Sequence, residues 1–280
     1  MARLVGFIAN RPDLCNRFAQ YERAALSTHN GNAAQPWGWG IGFFQSGEIL
    51  LKRRPLDERT ELTIDEMIVE VRSDILLAHV RHATVGALRT GNTHPFRYRQ
   101  WMFADTGTVD GFRDLRAQLY ESLPRFLQRS LRGDTDSELL FHLYLSFLHD
   151  AGQLDSPHVA PMDASRAIRS SLALLDRIGR ETEHEPSSLN LLLATPDYLI
   201  SAHRGERMAY RILSGRDDFE PLFSEEGPSK MRMPDLEPCR LAVVASDFDK
   251  NELPHGWNSV EHGSIMAFTR SGDTEVLHPT

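Results

Sequence analysis

Cysteine is nearly missing from these 280 residues: Cys15 and Cys239 are the only two, far apart and outside any CxxC pair. That excludes a disulfide framework and a cysteine zinc site, and it suits a reduced, cytoplasmic setting. Long apolar runs are missing as well. No segment reaches the ~20 residues that span a bilayer, and the opening MARLVGFIANRPDL is too short an apolar run for a signal peptide, so no membrane association is expected. Basic residues do not dominate, with 31 Lys plus Arg against 39 Asp plus Glu. A net charge of -8 argues against a general nucleic-acid surface and directs the expectation toward small-molecule or protein partners. GxGxxG, P-loop, HExxH and GxSxG patterns are also lacking. With them go the local signatures of dinucleotide, mononucleotide, zinc-protease and α/β-hydrolase sites.

What is present is an alternation of strand-like and helix-like segments. ARLVGFIA (2 to 9) reads as a strand that begins almost at the first residue, and NRPDL ends it and opens a helix at Pro12. STHNGNAAQPWGWG (27 to 40) reads as a shaped loop leading into the strand IGFF, with QSGE as a turn and ILLKR as its hairpin mate. ELTIDEMIVEV is amphipathic, SDILLAHVRHAT returns to strand, and WMFADTGTV is a strand entering a glycine turn. FRDLRAQLYESLPRFLQ, DSELLFHLYLSFLHD and ASRAIRSSLALLDRIG have helical spacing. LNLLLATPDYLISAHRG is a hairpin around Pro-Asp, and LAVVASDF and GSIMAFTR close the chain as strands. Strands at both ends with helices grouped between them favour one layered α+β domain over residues 1 to 280.

The chemistry concentrates in LLAHVRHATVGALRTGNTHPF (76 to 96) and GDTDSELL (133 to 140). Along a strand, side chains alternate faces, so His79 and Arg81 point one way and His82 the other. That disfavours a zinc site from His79, His82 and His94, and no metal or other cofactor is expected. A guanidinium near the end of an apolar strand needs a partner: either a structural carboxylate such as Asp105 or Asp136, or a ligand carboxylate held at two oxygens. In GDTDSELL, Asp134 or Thr135 offers a helix cap and Glu138 reaches the first free amides. Asp136 then lies in the first turn, where it either serves the helix or accepts an ammonium. Together, Arg81 and Asp136 would read the α-carbon end of a free amino acid.

MARLVGF, WGWGIGFF, HVRHAT, NTHPF, FADTGTV, GDTDSE and the ASDF…GWNSVEHGS segment, in this order, resemble a class II glutamine amidotransferase domain of the stand-alone type related to γ-glutamyl hydrolases. The resemblance implies the Ntn-hydrolase fold, a four-layer αββα sandwich with two mainly antiparallel sheets. It also implies a cysteine nucleophile directly after the first methionine, where this chain has Ala2, and an Asn-Gly oxyanion pair, where it has Thr106 and Gly107. Asp105 takes the place of the family's preceding His. By the same resemblance Arg81 matches the residue contacting the glutamine α-carboxylate and Asp136 the one holding the α-ammonium, with Thr84 and His94 in supporting positions. The implied reading is a pocket for glutamine or another γ-glutamyl or α-amino acid compound whose glutaminase activity has been lost. Two alternatives stand beside it: a glutamine amidotransferase or γ-glutamyl amidohydrolase that is either active or inactivated by an engineered Cys-to-Ala change, and a structural or protein-interaction subunit of a synthetase or transferase complex.

Overall fold

A computed structural model describes residues 2–27, 37–58, 63–81, 86–223, 235–248 and 252–277. Among the described residues, thirteen strands run in chain order as β1 (Arg3–Ala9), β2 (Trp37–Gln45), β3 (Glu48–Asp57), β4 (Ile75–Arg81), β5 (Phe96–Tyr98), β6 (Trp101–Thr108), β7 (Ser188–Ala194), β8 (Tyr198–His203), β9 (Ala209–Ser214), β10 (Arg240–Ala245), β11 (Asn258–Ser259), β12 (Ile265–Thr269) and β13 (Thr274–Val276). They form two sheets, ordered β11-β9-β10-β1-β4-β2-β3 and β13-β12-β8-β7-β6-β5. Every pairing in both is antiparallel. The helices are α1 (Leu14–Tyr21), α2 (Arg23–Leu26), α3 (Ile64–Ile68), α4 (Phe112–Glu121), α5 (Arg125–Gln128), α6 (Asp136–Asp150), α7 (Pro161–Glu181) and α8 (Arg216–Phe223).

Three apolar cores define four layers. Val5, Phe7 and Ala9 pack with α1, α3 and α8 on the outer side of the first sheet. Leu4 and Ile8, the alternate residues of the same strand, meet Leu192 and Leu199 of the second sheet. On the far side of that sheet, Trp101 and Phe103 pack under α4, α6 and α7. The expected α+β sandwich is therefore present, and the period-2 pattern of β1 assigns its two faces. No helix among the described residues is long and apolar enough to cross a membrane.

Local differences from the sequence reading have local causes. The first helix begins at Leu14 with Asp13 at its N-cap rather than at Pro12. FRDLRAQLYESLPRFLQ, one pattern by spacing, is two helices, because Pro124 has no N–H to donate and disfavours helical backbone at the residue before it. Residues 28 to 36 of the glycine-rich loop lie outside the described residues, but its end is already strand. Trp39 is buried in β2 and its indole N–H donates to Asp57 at 2.8 Å. Ser46 and Gly47, both at positive φ, make the predicted QSGE turn. β9 and α8 are not anticipated: AYRILS is only six residues, and Pro221 inside RDDFEPLF argues against the helix that Phe219, Leu222 and Phe223 nevertheless bury.

At Gly6 the sheets leave no room for a side chain: a Cβ would lie 2.9 Å from Leu192 Cδ1 and 3.0 Å from Leu199 Cδ2. Gly6→Val is expected to lower stability by about 1–3 kcal/mol through overpacking. An unchanged unfolding midpoint in denaturant would show that the two sheets yield at this point.

Candidate functional site

At one end of the sandwich the inter-sheet space becomes polar. Leu4 and Ile8 face it from β1, so Ala2, two residues before Leu4, is on the same side. Ile75 and Leu77 face it from β4, and the same alternation carries His79 and Arg81 into it. Met102 and Ala104 face it from β6, which turns Thr106 inward and sends Asp105 toward the helices with Phe103. β1 pairs with β4 so that Arg3 is opposite Val80 and Leu4 opposite His79. One cavity of about 40 Å³ is lined by Ala2, His79, Arg81, His94, Asp105, Thr106, Gly107 and the first residues of α6.

The α6 start is built as GDTDSELL suggests. The Thr135 hydroxyl caps the helix by accepting from the Glu138 N–H at 3.2 Å. Glu138 itself accepts from the amides of Arg132 and Gly133. Asp136 is buried and accepts from the Val109 N–H at 2.9 Å and from the Ser137 N–H at 3.0 Å. Burial, and then the nearby charge of Asp105, push its pKa up to about 6 against these bonds. Arg81 donates to the Gly86 carbonyl at 3.5 Å. Burial makes its guanidinium less basic, while the carboxylates of Asp136 and then Asp134 oppose that.

Deeper in, His94 Nε2 and Asp105 Oδ1 are 2.9 Å apart, and the Ser137 hydroxyl donates to the other Asp105 oxygen at 3.2 Å. Burial raises the Asp105 pKa to about 7. The same burial, followed by the charges of Arg81 and Arg53, lowers His94 to about 3. At neutral pH the imidazole is neutral. It donates Nε2–H to the carboxylate, or accepts from Asp105 in its acid form. The His79 ring lies against it, 4.3 Å between centroids. Thr106 Oγ1 lies 3.5 Å from the Ser246 hydroxyl, and Ser246 in turn donates to Asp247. Gly107 has φ +115°, and a Cβ there would meet the Ser188 carbonyl at 2.1 Å, so only glycine fits.

The structure thus brings together Ala2, Arg81, His94, Thr106, Gly107 and Asp136. Thr84 and His82 lie outside the described residues. Ser137 and Ser246 were missed. Ser137 is adjacent to Asp136 in a helix-start motif that reads equally well as capping, and nothing in the sequence ties Ser246 to Thr106, 140 residues away.

Residues 1–280 match the family model described as glutamine amidotransferases class-II. The chain belongs to the class II glutamine amidotransferase family. Among curated proteins it is similar to a probable glutamine amidotransferase of Saccharomyces cerevisiae, 25% identical over 222 residues, covering 75% of this chain and 60% of that protein. It is also similar to an uncharacterised protein of Methanocaldococcus jannaschii, 30% identical over 264 residues, covering 90% of this chain and 66% of that one. The chain therefore spans about two thirds of the length of these two relatives. A solved glutamine aminotransferase class-II domain protein from Silicibacter pomeroyi aligns over 99% of this chain and 100% of its own with a TM-score of 0.58. At 20% identity that likeness shows a shared fold.

Proposed function

We propose that this amidotransferase-family chain has no glutaminase activity and retains a binding pocket for an amino acid or γ-glutamyl compound. One observation carries the reading: Ala2 stands at the cavity that also holds Arg81 and Asp136. A methyl group has no lone pair with which to attack an amide, so nucleophilic catalysis has no first step there. The oxyanion side is weakened too. The Thr106 hydroxyl lies beside Ser246, and Asp105 brings a carboxylate where negative charge would develop.

Recognition is better supported. The Arg81 fork suits a carboxylate, and Asp136, with its pKa raised only to about 6, is mostly ionised at neutral pH and able to accept an ammonium. A space of about 40 Å³ holds a few waters rather than a whole amino acid. One end of a ligand would occupy it, leaving the rest to the cleft beside Gly86, Val109 and Asp134, which is about 740 Å³. Val109 connects the two spaces through its bond to Asp136.

Glutamine or glutamate is expected to raise the melting temperature, by about 1.4 kcal/mol of added stability at ten times its Kd, and Arg81→Ala should abolish the shift. Ammonia release from glutamine should stay at background. Turnover that disappears in Arg81→Ala would overturn the loss of activity. No shift with any α-amino acid at millimolar concentration would favour the structural-subunit reading instead.

A further inference from the structure

Beside the NTHPF segment lies another cavity, of about 550 Å³, larger than the one at Ala2. Its walls come from β3, β5 and the start of α6, and four arginines reach it: Arg53, Arg97, Arg99 and Arg132. Two acidic residues, Glu48 and Glu138, also line it. The Glu138 carboxylate is already engaged by the amides of Arg132 and Gly133, and Arg99 is paired with Asp155. Arg53 and Arg97 differ. Among the described residues Arg53 donates to the Thr93 carbonyl at 3.1 Å and Arg97 to the Ile49 carbonyl at 2.6 Å, and neither forms an ion pair. Each guanidinium has five N–H donors, and these bonds use only one on each. The two cations also disfavour each other: burial and then the Arg97 charge make Arg53 less basic, with the Glu138 carboxylate opposing in part. The floor beneath them is apolar and includes Leu51, Phe96 and Phe141.

We propose that this cavity binds a phosphate-bearing small molecule, its phosphoryl oxygens on Arg53 and Arg97 and its organic part over the apolar floor. A dianion resolves the mutual repulsion of the two guanidiniums. Tetrahedral phosphoryl oxygens also match two donor forks converging from different strands, where a single carboxylate satisfies only one. The site shares no lining residue with the Ala2 cavity. Its wall nevertheless touches that cavity at two points. Arg53 is bonded to Thr93, the neighbour of His94, and Glu138 follows Asp136 and Ser137 in α6.

The probe is sodium pyrophosphate, titrated calorimetrically into the full chain at constant ionic strength. Saturable one-to-one binding is expected. It should weaken about tenfold or more in Arg53→Gln and separately in Arg97→Gln, since each removes charge-assisted bonds. Arg97 is exposed, so its variant keeps the fold even if Arg53→Gln does not. Arg177→Gln, on the exposed face of α7, should leave binding unchanged. No saturable heat up to about 10 mM would overturn the proposal. So would binding that survives both arginine variants but is lost in Arg81→Ala, or malonate binding as tightly as pyrophosphate.

Discussion

Ala2→Cys combined with Thr106→Asn is expected to confer glutamine hydrolysis on the chain, whereas Ala2→Cys alone gives little. The cysteine supplies the missing attacking atom at the end of the central strand, in the cavity with Arg81 and Asp136. It does not supply charge stabilisation. Thr106 Oγ1 lies 3.5 Å from the Ser246 hydroxyl, and a longer carboxamide at that position reaches further into the cavity, beside the Gly107 amide. One oxyanion donor is worth about 2.7–4 kcal/mol, or roughly 10²–10³ in rate. The double variant should exceed Ala2→Cys by about that factor. A third change, Asp105→His, removes a carboxylate whose pKa of about 7 leaves it substantially charged at neutral pH, and should raise the rate again. The measurement is glutamate and ammonia release with removal of the first methionine checked by mass. Saturation with glutamine and loss on adding Arg81→Ala would support a retained pocket around discarded machinery. A folded, correctly processed triple variant that binds glutamine and stays inert would place the divergence beyond these three positions. If it does not bind, the assignment of Arg81 and Asp136 to amino-acid recognition fails.

The second large effect is a reversal in how stability depends on pH. His94 is held neutral in the fold, with its pKa lowered to about 3, so between there and the unfolded value of about 6.5 the unfolded chain binds the extra proton. His94 thus costs stability as the pH falls through that window. Asp105 has the opposite sign. Its pKa is raised to about 7, so between the unfolded value of about 3.9 and 7 the folded chain binds the extra proton. Its contribution is fully present at low pH and is lost as the pH rises. In the native chain these two slopes offset each other from about pH 4 to 6.5. Asp105→Asn leaves the His94 slope, so the variant should lose stability relative to wild type on acidification. His94→Gln leaves the Asp105 slope and should gain it. Each difference is at most about 1.4 kcal/mol per pH unit, and the sign is secure because burial is the first cause of both shifts. Urea unfolding of the three proteins across this window provides the test. Variants whose slopes shift in the same direction from wild type would show that the two groups do not titrate as an opposed buried pair.

Much of the site could be read from local pattern. Alternation in ARLVGFIA, in ILLAHVR and in WMFADTGT assigns each strand an inter-sheet face, and Ala2, Arg81 and Thr106 fall on it for the same reason that Leu4, Leu77 and Ala104 do. The Thr135 cap and the bonds that Glu138 makes just before the helix follow from GDTDSE, because they span only a few residues. The ordered motifs likewise carried the family resemblance, and the sandwich agrees with it.

Other features depend on which strands become neighbours. His94 and Asp105 read separately as a site histidine and a substituted position, and only the packing of the NTHPF segment against β6 and α6 makes them a buried pair with opposed protonation. Thr106 meets Ser246 because β1, with β10 beside it, packs over the second sheet. Nothing in the sequence singles out Arg53 or Arg97 as a pair. Folding brings them to one cavity and leaves their charges facing each other. The amino-acid sequence by itself determined the strand faces, the helix cap and the absence of a nucleophile at position 2, since each depends on residue type and short-range spacing. The tertiary structure decided which charges are buried together and therefore how they ionise, because desolvation and Coulomb interactions depend on distances that chain spacing does not set.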